Sequence, residues 1–195
     1  GPEFFLHLQV LAQLHDSYIL CSNEEGLVIV DQHAAQERYH YEQLNEKLLV
    51  QCTNKQPLMV PIQLDVSSNV LAQYMTINEK TAFFGIEFEP FGTDQLILRE
   101  IPLWFHDVDQ KQFLQDLLDY FVENQDVDMA KLRKHMIATM ACHSSIRFNR
   151  PLSMQEMEQV ILDLQKCRQP YHCPHGRPTV IVMSDGELRK EFERG

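Results

Sequence analysis

The run Asp31-Gln32-His33-Ala34-Ala35-Gln36-Glu37, with Glu42 five positions on, puts three side chains able to hold a metal ion at a strand-to-helix junction. Val28-Ile29-Val30 reads as a short apolar strand ending at Asp31, and Ala34 through Leu49 reads as a helix. His33 and Glu37 are four residues apart, so they share one face of the first turns of that helix. By itself such a pair is an ordinary solvated one. The reading changes with Cys173-Pro174-His175 near the other end of the chain. Pro174 favours extended backbone, in which residues two apart point the same way, so a thiolate and an imidazole can reach one ion. His33, Glu37, Cys173 and His175 are then four N, S and O donors in two rigid pairs, an inventory suited to zinc.

These donors need elements to position them. The first fifty residues read as a three-stranded meander, Leu6 to Leu14, Tyr18 to Ser22 and Leu27 to Asp31, with turns at His15-Asp16 and Asn23-Glu24-Glu25-Gly26, followed by the helix. Near the other end, Ser153 and Glu156 form a capping box. The helix it opens has apolar positions at Met154, Met157, Val160, Ile161 and Leu164. A loop carries Cys173 to Pro178, Thr179 to Met183 is β-branched and strand-like, and Ser184 with Glu187 caps a final short helix. Between these halves lie an extended segment punctuated by Pro57 and Pro61, a helix from about Ser67, and a hairpin around Gly92-Thr93-Asp94. Helices over Asp109–Asn124 and Met129–His143 complete it. The expected fold class is α+β: a mixed sheet with helices forms a discontinuous subdomain (5–55 and 144–195), into which a mainly helical subdomain (56–143) is inserted.

At 195 residues with 44% apolar content the chain can build a packed core. Its formal net charge of −11 argues against a surface that holds nucleic acid by phosphate neutralisation alone. Work on a polyanion would need metal ions or partner subunits to supply positive charge. The five cysteines are odd in number and irregularly spaced, with no 18-residue apolar run and no basic leader, which argues for a reducing, cytoplasmic setting without membrane insertion. Gly1-Pro2-Glu3-Phe4 has the form of a protease and cloning scar, making the chain a fragment of something longer.

Together the segments DQHAAQERYHYE (31–42), ACHSSI (141–146) and CPHGRP (173–178) closely resemble the C-terminal endonuclease region of the bacterial MutL family of DNA mismatch-repair proteins. The first segment matches the family pattern Asp-Gln-His-Ala, two residues, Glu, four residues, Glu at every fixed position, and Phe192-Glu193-Arg194 matches the closing Phe-any-Arg element. The resemblance covers residues 5 to 194. It implies a homodimer that nicks one strand of duplex DNA and acts with the mismatch-recognition protein MutS through the full-length protein. It also implies two neighbouring metal sites, with His33, Glu37, Cys142, Cys173 and His175 as ligands and Asp31 as the acidic residue needed for nicking, so that Asp31, His33 and Glu37 form the catalytic set. Cys142 and Cys173 favour zinc, and Asp31, Glu37 and His33 offer the harder side where manganese or magnesium could bind. Glu42 stands about 140° around the helix from Glu37, so it is read as orienting or structural, paired with Arg38. Arg177 is a candidate phosphate contact or a solvated turn residue, and His143 reads as an exposed helix-end residue.

Gln56-Pro57-Leu58-Met59-Val60-Pro61 resembles the peptide by which such proteins dock on the replicative sliding clamp, with Gln56, Leu58, Val60 and Pro61 as the contacting residues; an ordinary interdomain strand is the plainer alternative. In the expected reading Leu58 and Val60 project on one side. No Gly-rich phosphate loop is present, so ATP binding is not expected. The competing function is a catalytically silent, zinc-stabilised dimerisation and clamp-docking module, and Asp31 separates the two because a closed structural zinc needs no carboxylate beside it. A cysteine hydrolase using Cys173 and His175 fits poorly, since alternate residues on a strand sit too far apart for thiol-to-imidazole contact.

Overall fold

The computed structural model describes residues 3–194. In chain order its elements are α1 (Glu3–Leu6), β1 (Gln9–Leu14), β2 (Tyr18–Asn23), β3 (Gly26–Asp31), α2 (Gln32–Leu48), β4 (Lys55–Asp65), α3 (Ser68–Thr81), β5 (Glu89–Phe91), β6 (Gln95–Pro102), α4 (Gln110–Glu123), α5 (Met129–Cys142), α6 (Met154–Lys166), β7 (Val180–Ser184) and α7 (Asp185–Glu191). They form an α+β fold with two separate antiparallel sheets, ordered β1-β2-β3-β7 and β4-β6-β5. The chain divides into two units, one of residues 1–43 with 147–195 and one of residues 44–146. These boundaries differ from the expected breaks after residues 55 and 143. Cys52 already donates its N–H to Phe83, and the Leu103 N–H bonds the Asn54 carbonyl, so 52–54 belong with the middle of the chain.

In the first unit, strict alternation builds the sheet. Ile19 and Cys21 of β2 and Val28 and Val30 of β3 are fully buried on one face, where they join Met157, Val160, Ile161 and Leu164 of α6. The α6 capping box is present, with Ser153 accepting from the Glu156 N–H and Glu156 accepting from that of Ser153. Met154, expected on the apolar stripe, is instead exposed, because the stripe starts one turn later. Of the segment read as a cloning scar, Gly1 and Pro2 lie outside the described residues. Phe4 packs against the core, in edge contact with Phe5 and Tyr171.

The β1–β2 hairpin closes at 3.0 Å from the Ser17 N–H to the Leu14 carbonyl, with His15 and Asp16 both at positive φ, the backbone of a primed hairpin turn. The next hairpin turns at Glu24-Glu25, where the Asn23 side chain accepts from the N–H groups of Glu25 and Gly26. Gly26 has φ of 147°, and a Cβ there would come within 2.5 Å of the Met183 carbonyl oxygen. Only glycine lets β3 approach β7 at this point.

The second unit carries the expected helices, and the expected extended segment and hairpin join into one three-stranded sheet. Phe84, Phe88, Leu96, Leu98, Phe105 and Phe113 fill its core. Its α4 and α5 are tied by a 2.5 Å hydrogen bond between His143 Nε2 and Asp116, which holds the Asp116 carboxyl below its ordinary range. His143 is therefore an interhelical partner and not the exposed helix-end residue expected. The backbone geometry at Gly26 predicts that Gly26→Ala lowers unfolding stability by about 2 kcal/mol or more, through overlap with backbone that cannot yield. Chemical denaturation measures this, and an unchanged midpoint would show that the β3–β7 approach tolerates a side chain.

Candidate metal centre

Strand β3 runs straight into α2, and the Asp31 carboxylate accepts from the Ala34 N–H at 3.1 Å, closing the first turn of the helix. The Asp31 N–H bonds the Thr179 carbonyl and the Gln32 N–H bonds that of Ser17, so this junction is fixed by β7 on one side and by the β1–β2 hairpin on the other. From it the helix projects His33 and Glu37 along one face, with His33 Nε2 3.5 Å from Glu37 Oε2.

Cys173 and His175 arrive on the opposite segment by a turn rather than the extended backbone expected. The Gly176 N–H bonds the Cys173 carbonyl at 2.9 Å, and Gly176 takes φ of 86°. Proline's fixed φ suits the second position of a turn as well as it suits a strand, and glycine at the fourth position decides for the turn. The base of the loop is bound at several points. Arg38, nearly buried on α2, donates from Nε to the His172 carbonyl at 2.7 Å, and Thr179 donates its hydroxyl to Pro170 at 2.5 Å. Glu42 pairs with Arg38 at 3.6 Å, as expected, and also accepts the N–H groups of Arg168 and Gln169. It holds the loop and stands outside the donor cluster.

The ligand atoms that close on one another are a carboxylate oxygen of Glu37, Sγ of Cys173 and a ring nitrogen of His175, all within 4.8 Å. Cys173 is 1% exposed, and His175 Nδ1 lies 2.8 Å from Glu37 Oε1. The other carboxylate oxygen, Oε2, is buried without a hydrogen-bond donor. A buried carboxylate oxygen without a donor costs on the order of 1–3 kcal/mol, so a cation suits this position. The donor set fits zinc or a similar ion by its thiolate and imidazole.

Two other cysteines of this unit offer no competing thiolate, because burial pushes Cys21 up to about 11, and burial reinforced by the Glu42 carboxylate pushes Cys167 up to about 12. Of the five expected ligands the cluster gathers three, while His33 meets it through Glu37. Cys142 ends α5 in the other unit, where it is exposed.

Next to Glu37, His33 also lines a cleft of about 320 Å³ with Asp31, Ser17, Tyr18, Asn149 and Arg177. Arg177 is exposed and makes no side-chain hydrogen bond or ion pair among the described residues. The chain matches the family described as the MutL C terminal dimerisation domain over residues 11–152. It belongs to that family. It is 39% identical to the DNA mismatch repair protein MutL of Exiguobacterium sibiricum over 194 residues, which is 100% of this chain and 32% of that protein. It is 36% identical to the MutL of Shouchella clausii, over 96% of this chain and 29% of that protein, and 35% identical to that of Lactococcus lactis subsp. lactis, over 97% and 29%. The chain thus spans about a third of the length of these MutL relatives.

Elsewhere in this MutL-family chain, Gln56–Pro61 lies in β4, an edge strand. Pairing with β6 breaks between Pro57 and Ile62, so Leu58–Pro61 bulge opposite Arg99 alone. Met59 and Val60 protrude and Leu58 is partly buried, so Leu58 and Val60 do not project together as expected. Alternation fails because a bulge interrupts the two-residue period.

Ser17, Tyr18, Gln32, Phe148 and Asn149, all around the site, had no functional reading in the sequence. Gln32 is a polar residue inside the motif itself, which was the one signal available, while spacing points to neither Phe148 nor Asn149. The donor cluster predicts that Cys173→Ala weakens zinc binding by about 10-fold or more, or about 1.4 kcal/mol. Titration against a chromophoric chelator reads the affinity directly. Unchanged affinity would remove Cys173 from the ligand set.

Proposed function

We propose that this chain is the metal-dependent endonuclease domain of a mismatch-repair protein, nicking one strand of duplex DNA. The observation that carries this reading is the pairing of the converging Glu37–Cys173–His175 donor set with an open cleft bearing Asp31, His33 and Arg177. A metal-only structural site would have no use for that cleft. Zinc would be held by Cys173, His175 and Glu37, and manganese or magnesium on the harder side by Asp31, His33 and Glu37. Bound there, such an ion supplies Lewis acidity toward a phosphoryl oxygen and lowers the pKa of water. With Oδ1 of Asp31 engaged by the Ala34 N–H, Oδ2 is left to take a proton from the attacking water. Arg177 supplies the fixed positive charge that a chain of net charge −11 otherwise lacks for a phosphodiester.

The domain is proposed to act as a homodimer. Leu14, Tyr18, Ile181 and Met183 are exposed on the sheet β1-β2-β3-β7. They lie on the face opposite Ile19, Val28 and Val30, in a family described as a dimerisation domain. An apolar sheet face of this kind suits an isologous two-fold contact. Recruitment to DNA is assigned to the sliding clamp, through the protruding bulge at Met59 and Val60 flanked by Gln56 and Pro61, and to MutS through the full-length protein. Among the described residues no helix is long and apolar enough to cross a membrane.

Asp31→Asn is expected to lower manganese-dependent nicking of supercoiled plasmid by about 100-fold or more, the scale of a lost proton acceptor, with bound zinc and oligomeric state unchanged. Wild-type nicking by the variant would favour the silent zinc module instead. Ile181→Asp is expected to convert the dimer to monomer in sedimentation equilibrium, because a carboxylate would be buried unpaired within the apolar face. A persistent dimer would place the interface elsewhere.

A further inference from the structure

Gln32 is 0% exposed, and every polar atom of its side chain is used. Its Nε2 donates to the Phe148 carbonyl at 2.6 Å and to the Arg150 carbonyl at 3.0 Å, the two carbonyls flanking Asn149. Its Oε1 accepts from Gln13 Nε2 at 2.7 Å, and Gln13 in turn donates to the Arg150 carbonyl and accepts from the Leu152 N–H. One buried amide thus clamps residues 148–150 from both sides. Two things follow at the site. The Phe148 ring stands edge-on to the His33 imidazole, with centroids 5.3 Å apart at 88°, and Asn149 lines the cleft shared by Asp31, His33 and Arg177.

We propose that Gln32 is a positioning residue which, by holding the carbonyls on either side of Asn149, fixes the Phe148 ring against His33 and presents the Asn149 amide to a phosphodiester oxygen in the cleft. The Asn149 part rests on the nuclease reading above. An exposed loop with two free carbonyls would sample many backbone states, and a doubly held one offers the amide group in one geometry without ordering cost at binding. The Asn149 N–H₂ is a neutral donor and Arg177 a charged one, so together they can address two oxygens of one phosphate.

The test combines NMR of selectively labelled histidine and asparagine with the plasmid nicking assay. Gln32→Met keeps the length of the side chain and removes its donors. It is expected to move the His33 ring signals toward those of Phe148→Leu, which lacks the aromatic ring current, and to shift the Asn149 amide. Asn149→Ala, at an exposed position, is expected to lower nicking by about 10-fold or more at unchanged melting temperature, the scale of one hydrogen bond to a charged oxygen. The double variant Gln32→Met/Asn149→Ala is expected to lose no more than the worse single variant, because both act through one group. A merely structural Gln32 would give multiplied losses, and His33 signals unmoved by Gln32→Met would overturn the proposal outright. Should Gln32→Met not fold, Gln13→Leu, which removes the second donor to the Arg150 carbonyl, is expected to shift the same signals. If the wild-type chain does not nick at all, the nuclease reading falls, and the His33 and Asn149 signals alone decide the positioning role.

Discussion

The half-buried carboxylate of Glu37 is the constraint around which the donor cluster is arranged. A carboxylate taken from water must regain its solvation from donors or from a cation, and the energies at stake are several times those of a surface ion pair. Here one oxygen meets His175, and the other is buried without a donor. Everything nearby serves to keep that unbalanced group in place. Strand β3 delivers the start of α2 rigidly, Arg38 one residue on ties the helix to the loop of the two other donors, and Glu42 a turn later pins the segment before that loop. The site is thus made of two short rigid stretches joined by hydrogen bonds to backbone carbonyls and N–H groups.

The same sheet that seats the site leaves a second surface open. β2 and β3 send Ile19, Cys21, Val28 and Val30 inward against α6, and the two-residue period sends Tyr18, Leu20, Leu27 and Ile29 to the other side. That side continues on β7, where Ile181 and Met183 are exposed. One sheet therefore carries the site at the end of its third strand and an apolar surface across its back.

Charge separates the site from the rest of the chain. With acidic residues outnumbering basic ones, 28 to 17, the general surface repels a polyanion. The cleft sets one arginine, Arg177, and the polar groups of Ser17, Tyr18 and Asn149 beside Asp31 and His33. A single positive charge there suits recognition of one phosphate more than tracking along a duplex.

By itself the sequence determined the elements and the donor types, because both are written in short-range pattern: alternation in β2 and β3, the Ser153–Glu156 box, the i,i+4 relation of His33 and Glu37, and the pairing of Arg38 with Glu42. Only the tertiary structure decided which donors meet. Cys173 and His175 converge on Glu37 through a turn that closes at Gly176, and competition between turn and strand at a proline is settled by where the flanking residues are anchored, here at Arg38 and Thr179. The bulge at Leu58–Pro61, the pairing of the extended segment with the 92–94 hairpin and the His143–Asp116 bond were likewise illegible, since each depends on a partner distant along the chain. Gln32 is the clearest case. Its letter was visible inside the motif, but its work lies in two carbonyl groups at 148 and 150, and backbone acceptors leave no mark in a sequence.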